Sequence, residues 1–212
     1  MDEQQYGPGW VPQGVLNQEA EDRERRRLIE KVLFSRDERK TFENFDCNFN
    51  NQKKNVDDVL NFLSDPSTRK LLLCGFVGRG KTHLAQACAN KWVSMGQQAI
   101  VISAHRLYLV FKELAQYDPD PVDEKAMNRI WESSLLVIDD LGGENQTEKQ
   151  VFNRNFQALL DEYRGKLIIT TNLPNQKREN IYGQRIASRL YEDSLIIVLE
   201  GNDYRKEKGG VW

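Results

Sequence analysis

The run Gly75-Phe76-Val77-Gly78-Arg79-Gly80-Lys81-Thr82 has the spacing G-x-x-x-x-G-K-[ST] of a phosphate-binding P-loop. Glycines at those positions let backbone N–H groups approach a polyphosphate. The start of a following helix adds its positive dipole end. Lys81 would reach the β- and γ-phosphates, and Thr82 would offer its hydroxyl to Mg²⁺. A second cluster lies further on, where Leu135-Leu136-Val137-Ile138 runs into Asp139-Asp140. Carboxylates at the C-terminal end of a buried strand stand where open α/β sheets bind ligands. Asp139 is expected to serve the metal, mostly through water, and Asp140 to polarise the attacking water. Taken alone, Asp140-Leu141-Gly142-Gly143 also reads as a polar turn; the P-loop upstream decides for chemistry.

These groups need elements to carry them. Lys70-Leu71-Leu72-Leu73-Cys74 reads as a buried strand ahead of the loop, and His83 to Trp92 as the helix behind it. Strands are also expected at Gln98–Ile102, Leu135–Asp140, Lys166–Asn172 and Leu195–Leu199. Helices are expected at Val56–Leu63, Ala104–Leu114, Glu124–Trp131, Thr147–Tyr163 and Gln184–Tyr191. This alternation implies an α/β fold: a doubly wound parallel sheet of five strands with helices on both faces.

The chain of 212 residues has a formal net charge of −2, so no global basic field draws it to nucleic acid. Its three cysteines, Cys47, Cys74 and Cys88, lack metal-like spacing, and two lie in apolar runs. They read as small buried hydrophobes in a reducing, cytoplasmic setting. With two histidines, a His-based metal site is not expected. No apolar stretch is long enough for a membrane span, and the polar start is no signal peptide. Residues 1 to about 16, rich in Gly and Pro, read as a mobile arm containing Trp10. Asn17 to Lys40 reads as a highly charged helix with Leu28, Ile29, Val32 and Leu33 in one apolar stripe, a solvated cap or a partner-binding segment. The division is therefore 1–40 for arm and charged helix, and 41–212 for the main domain.

The order of motifs resembles the AAA+ ATPases, and in detail the DnaC/DnaI-type replicative helicase loaders and their IstB-like relatives. The matching pieces run from Thr41-Phe42-Glu43-Asn44-Phe45, through the P-loop and the double aspartate, to Thr170-Thr171-Asn172. They continue with Ser188-Arg189-Leu190 and Asp203-Tyr204-Arg205. The resemblance spans about residues 41–206. It implies bound ATP with Mg²⁺, and a phosphate set of Gly75, Val77, Gly78, Arg79, Gly80, Lys81, Thr82 and His83. It puts Asn172 at the sensor-1 position, orienting water, although Asn172-Leu173-Pro174 also suits a strand exit. Arg189 falls at the arginine finger that completes a neighbour's site, with Arg185 as the alternative. Arg205 matches a sensor-2-like phosphate contact in its own subunit. Phe42 and Phe45 lie where the family's leading segment passes the adenine, and equally suit a core. Phe76-Val77 and Arg79 stand where the family usually has a proline and a small residue, so Arg79 either adds a phosphate contact or crowds the loop.

The resemblance further implies a reduced or absent lid domain and an extra helical element within Ala104–Trp131. In the loaders that element faces single-stranded DNA, with His105, Arg106, Lys112 and Arg129 as available contacts and Tyr108 for stacking. The expected activity is loading a replicative helicase onto single-stranded DNA by a homo-oligomer with ATP at its interfaces. Two other readings compete. One is an IstB-like transposition helper that binds duplex DNA and a transposase. The other is a nucleotide-switched binding module with little turnover.

Overall fold

The computed structural model describes residues 35–116, 121–142 and 149–208. The mobile arm and most of the charged helix expected before residue 41 lie outside the described residues.

Five short apolar runs form one parallel sheet, in the order β2-β3-β4-β1-β5. They are β1 (Lys70–Cys74), β2 (Ala99–Ser103), β3 (Leu135–Leu141), β4 (Lys166–Thr171) and β5 (Ser194–Val198). The near-continuous burial of β1 to β4 follows from cover on both faces, and side chains alternate between the two, whereas the edge strand β5 leaves Ile196 and Val198 exposed. Leu71 and Leu73 join one apolar cluster with Val59, Phe62, Leu84 and Cys88. Leu72 and Cys74 join the other with Leu107, Phe152, Phe156 and Leu190. The first face is covered by α1 (Lys53–Ser64) and α2 (Lys81–Ser94), and the second by α3 (Ala104–Leu114), α4 (Pro121–Glu132) and α5 (Lys149–Glu162). Then come α6 (Asn175–Tyr182), α7 (Gln184–Tyr191) and the short α8 (Tyr204–Lys208). Cys74 and Cys88 are buried, as their apolar settings imply.

Helix boundaries follow local chemistry. α2 starts on Gly80, whose φ of 89° is accessible to glycine at little cost. The Ser103 hydroxyl caps α3 by accepting from the Arg106 amide at 3.2 Å. Asp65-Pro66 stops α1, because proline cannot continue a helix. Two helices lie beyond the sequence reading: α6, which follows the sensor-like Asn172, and the short α8.

Before α1 the chain is fastened to α2. The Gln86 amide donates to the Ser35 carbonyl and accepts from the Asp37 amide, each at 2.8 Å. The Asn90 amide donates to the carbonyls of Asp37 and Lys40. Ser35 also donates to the Val101 carbonyl of β2 at 2.9 Å.

Candidate active site

The C-terminal ends of β1, β3 and β4 converge on a cavity of about 630 Å³. Val77 to His83, Asp139, Asp140, Asn172 and Arg205 line it, with Phe45 at one wall. Gly78 turns with φ 78°, and its carbonyl accepts from the Tyr204 amide at 2.9 Å. A Cβ there would stand 1.7 Å from an Asp203 carboxylate oxygen. The Asp203-Tyr204-Arg205 segment is thus seated against the loop only because residue 78 is glycine. A Cβ on Gly80 would meet the Phe45 ring at 2.6 Å.

Lys81 is 8% exposed and its Nζ donates to the Phe76 carbonyl at 2.8 Å, spanning the loop from within. Burial lowers its pKa, opposed by the carboxylates of Asp140 and Asp139. Such a partly desolvated ammonium, held by one carbonyl, suits an anionic ligand.

The acids are set by the sheet itself. Pairing between β3 and β4 slips between Ile138 and Leu141, which frees Asp139-Asp140 from the β4 ladder while Asp139 stays in register with Ser103 of β2. Asp140 takes φ 60°, an uncommon conformation for a non-glycine residue. Thr170 fixes both acids. Its hydroxyl donates to Asp139 Oδ1 at 2.6 Å and accepts from the Asp140 amide at 2.8 Å. Thr82 Oγ1 donates to the same Asp139 oxygen at 3.0 Å. Among the described residues no group of three His, Cys, Asp or Glu side chains could hold a metal. A divalent cation would therefore take Thr82 and Asp139 from the protein and the rest of its shell from water and phosphate oxygens. The donor set of one hydroxyl and one carboxylate at the mouth of the loop fits that arrangement.

The far end of the cavity is aromatic. Phe49 and Tyr204 meet edge to face with centroids 5.1 Å apart, and Phe45 meets His83 likewise at 5.2 Å. His83 Nε2 stands 2.9 Å from the Thr41 carbonyl and 3.0 Å from Asn44 Oδ1. The Asn50 amide donates to the Asn202 carbonyl at 2.8 Å and accepts from its amide at 2.9 Å. These bonds lace the leading and trailing segments around the cavity.

The sequence-predicted residues divide into three groups. Val77 to Thr82, His83, Asp139, Asp140, Asn172, Phe45 and Arg205 share the cavity, and Gly75 sits just behind it, where a Cβ would strike the Leu199 carbonyl at 2.4 Å. Phe42 packs against the core and does not line the cavity, whereas Phe45 does both. Arg79 lays its guanidinium over the Phe76 ring, 4.7 Å from the centroid, and lines the cavity. Arg189 is elsewhere: on α7 it pairs with Asp161 at 2.9 Å and with Glu192. The Glu192 hydrogen bond and the Asp161 charge together raise its pKa. Arg185, one turn earlier, faces the Gln157 amide oxygen at 3.1 Å.

Tyr108 is a correction. It is 5% exposed and packs towards Phe152, so it offers no stacking surface to a base. His105, Lys112 and Arg129 remain on the surface. Thr170, Asn50, Phe49 and Tyr204 were not singled out from sequence as site residues. The only signal was two threonines directly before Asn172 and an aromatic inside the Asp203–Arg205 run.

The sequence profile described as IstB-like ATP binding protein matches residues 1–209. The chain belongs to this IstB-like ATP-binding family. It is 24% identical over 210 residues to the replicative helicase loader DnaC of Escherichia coli (strain K12), across 93% of this chain and 84% of that protein. In fold it is similar to the crystal structure of the DnaI, at TM-score 0.61 and 22% identity over 79% of this chain and 92% of that one. It is also similar to AMPPCP-bound DnaA from Aquifex aeolicus, at TM-score 0.59 and 26% identity over 82% of this chain and 55% of that one. The fold is that of the AAA+ ATPases, and among the described residues no helix could cross a membrane.

Proposed function

We propose that this protein is a cytoplasmic ATPase that loads a replicative helicase onto single-stranded DNA. The observation that carries the ATPase reading is the corner where Thr82 and Thr170 both donate to Asp139 beside the buried Lys81. The likeness to a helicase loader along most of both chains supports the choice of partner.

In this reading ATP lies along the cavity. Its base stands among Phe45, Phe49 and Tyr204, and its phosphates lie over the Gly78–Thr82 amides. Lys81 neutralises the β- and γ-phosphates, and Arg205 adds a phosphate contact from the same subunit. Mg²⁺, held by Thr82 and Asp139, would supply charge neutralisation at the phosphates. Asp140 polarises the attacking water and Asn172 orients it. Arg189, on exchanging its pairs with Asp161 and Glu192, would complete the next subunit's nucleotide site, so hydrolysis belongs to a homo-oligomer. Residues 41–212 would form the ATPase domain, and residues 1–40 would carry the helicase-binding segment. The test is steady-state ATP hydrolysis with and without single-stranded DNA, joined to co-purification with a replicative helicase. Stimulation and co-purification are expected; no turnover under either condition would reduce the protein to a nucleotide-switched module.

A second reading is favoured by the family match itself: an IstB-like transposition helper. It requires preference for duplex DNA and capture of a transposase, which the same two assays distinguish when duplex DNA and a transposase are added as competing arms.

A further inference from the structure

Arg178, on α6, is 4% exposed, the most deeply buried guanidinium among the described residues. Its Nη1 donates to the Leu173 carbonyl at 2.6 Å and to Cys74 Sγ at 3.4 Å. Its Nε donates to the Tyr191 hydroxyl at 3.0 Å, Nη2 donates to the same oxygen, and the Tyr191 hydroxyl bonds in turn to Asn175 Oδ1. None of these partners is a carboxylate. Burial raises the Cys74 thiol's pKa, so it remains a neutral thiol and supplies no counter-charge. A buried cation held only by neutral acceptors is expensive, and an apolar side chain would fill the space more cheaply. A planar fork with several donors at fixed angles suits a geometric role.

That geometry is specific. Leu173 directly follows Asn172, and its side chain packs over Gly142, where a Cβ would meet Leu173 Cδ1 at 2.4 Å. Cys74 is the last residue of β1, at the root of the P-loop. Tyr191 ends α7, the helix that carries Arg189. One planar fork thus ties the turn after β4 to the loop's root and to α7, which a flexible ammonium could not span.

We propose that Arg178 is a positioning residue for ATP hydrolysis, fastening the Leu173 carbonyl so that Asn172 is held at the phosphate end of the cavity. This rests on the reading of Asn172 as the group that orients water. Arg178 touches no reacting atom; it acts through the turn.

The experiment is a double-mutant cycle on the full chain, with ATP-analogue affinity, turnover and thermal unfolding measured for each protein. Arg178→Met is expected to bind within about threefold of wild type and to lose turnover on the order of 10- to 100-fold, as for a displaced catalytic group. Asn172→Ala is expected to lose a similar amount. The double variant should be no more than about twofold slower than Asn172→Ala, because both changes remove one function. Independent, multiplying losses would mark Arg178 as merely structural and overturn the proposal. Wild-type turnover in Arg178→Met beside a slow Asn172→Ala overturns it while leaving the role of Asn172 intact. Wild-type turnover in Asn172→Ala sinks the reading of Asn172 and the proposal with it. Should Arg178→Met fail to fold, Arg178→Lys takes its place in the cycle: it keeps the charge and loses the fork. Wild-type turnover in that variant is equally fatal.

Discussion

The P-loop corner and the α7 surface both carry positive charge, but they are built in opposite ways. At the corner, Lys81 is buried and Asp139 already receives two hydroxyl hydrogen bonds from its own chain. On α7, Arg189 is 39% exposed at its side chain and held by two surface carboxylates. Groups that serve a ligand within one subunit can be fixed in advance by the fold. A group meant for a neighbour must stay at the surface, and only weak, exchangeable ion pairs can hold it there. If Arg189 acts on a neighbour as proposed, the difference in burial separates what one chain can complete from what would require a second copy.

The largest expected effect tests the second half of that contrast. Arg189→Ala should bind ATP normally and lose about 10³–10⁵ in hydrolysis rate, the usual worth of such an arginine. Mixed with Lys81→Ala, which retains its own Arg189, it should recover activity at hybrid interfaces. Failure to recover despite demonstrated co-assembly would place Arg189 in its own subunit or in a structural role.

Next comes Lys81→Ala, which should weaken ATP binding by about 2–5 kcal/mol, the cost of removing one partner of a desolvated charged contact. Calorimetry with unchanged affinity would refute the assignment of the loop. Smaller still, Thr170→Val should cost about 1–3 kcal/mol in urea denaturation, because it removes a hydrogen bond to a charged acceptor and leaves the Asp140 amide without one. Turnover should fall with it, since both acids lose their anchor; unaltered stability and turnover would mean that Thr170 organises nothing. The smallest effect belongs to Asp161→Asn. An exposed pair contributes little, so the midpoint of thermal unfolding should move by no more than about 3 °C. A larger drop would show that α7 is braced by this pair, blurring the contrast.

Much of this was legible from residue order because the central strands are continuous apolar runs and the glycine–lysine–threonine spacing is rarely anything else. The acids could be found from Leu135-Leu136-Val137-Ile138-Asp139-Asp140, but the slip in pairing that turns Asp140 outward could not. It depends on β4 supplying Thr170 from thirty residues away. α6 escaped because its eight residues, Asn175–Tyr182, are almost all polar, and its buried side chains are Arg178 and Tyr182. A helix anchored by an arginine has no apolar stripe to detect. Tyr108 differs for the converse reason: an aromatic near Arg106 and Lys112 looks available until Phe152, from the neighbouring helix on the same face of the sheet, is known to cover it.

The bond from Ser35 to the β2 edge has a mechanical consequence. β2 lies at one end of the sheet, whereas α7 packs against β1 and β5 near the other. Four strand spacings of about 4.8 Å put roughly 19 Å between those edges. Ser35 therefore enters the described domain on the flank away from Arg189. Under the proposed function, a helicase held close to Ser35 and a subunit docked at Arg189 would occupy opposite flanks, so inserting a few residues just before Ser35 should weaken helicase delivery while sparing ATP hydrolysis.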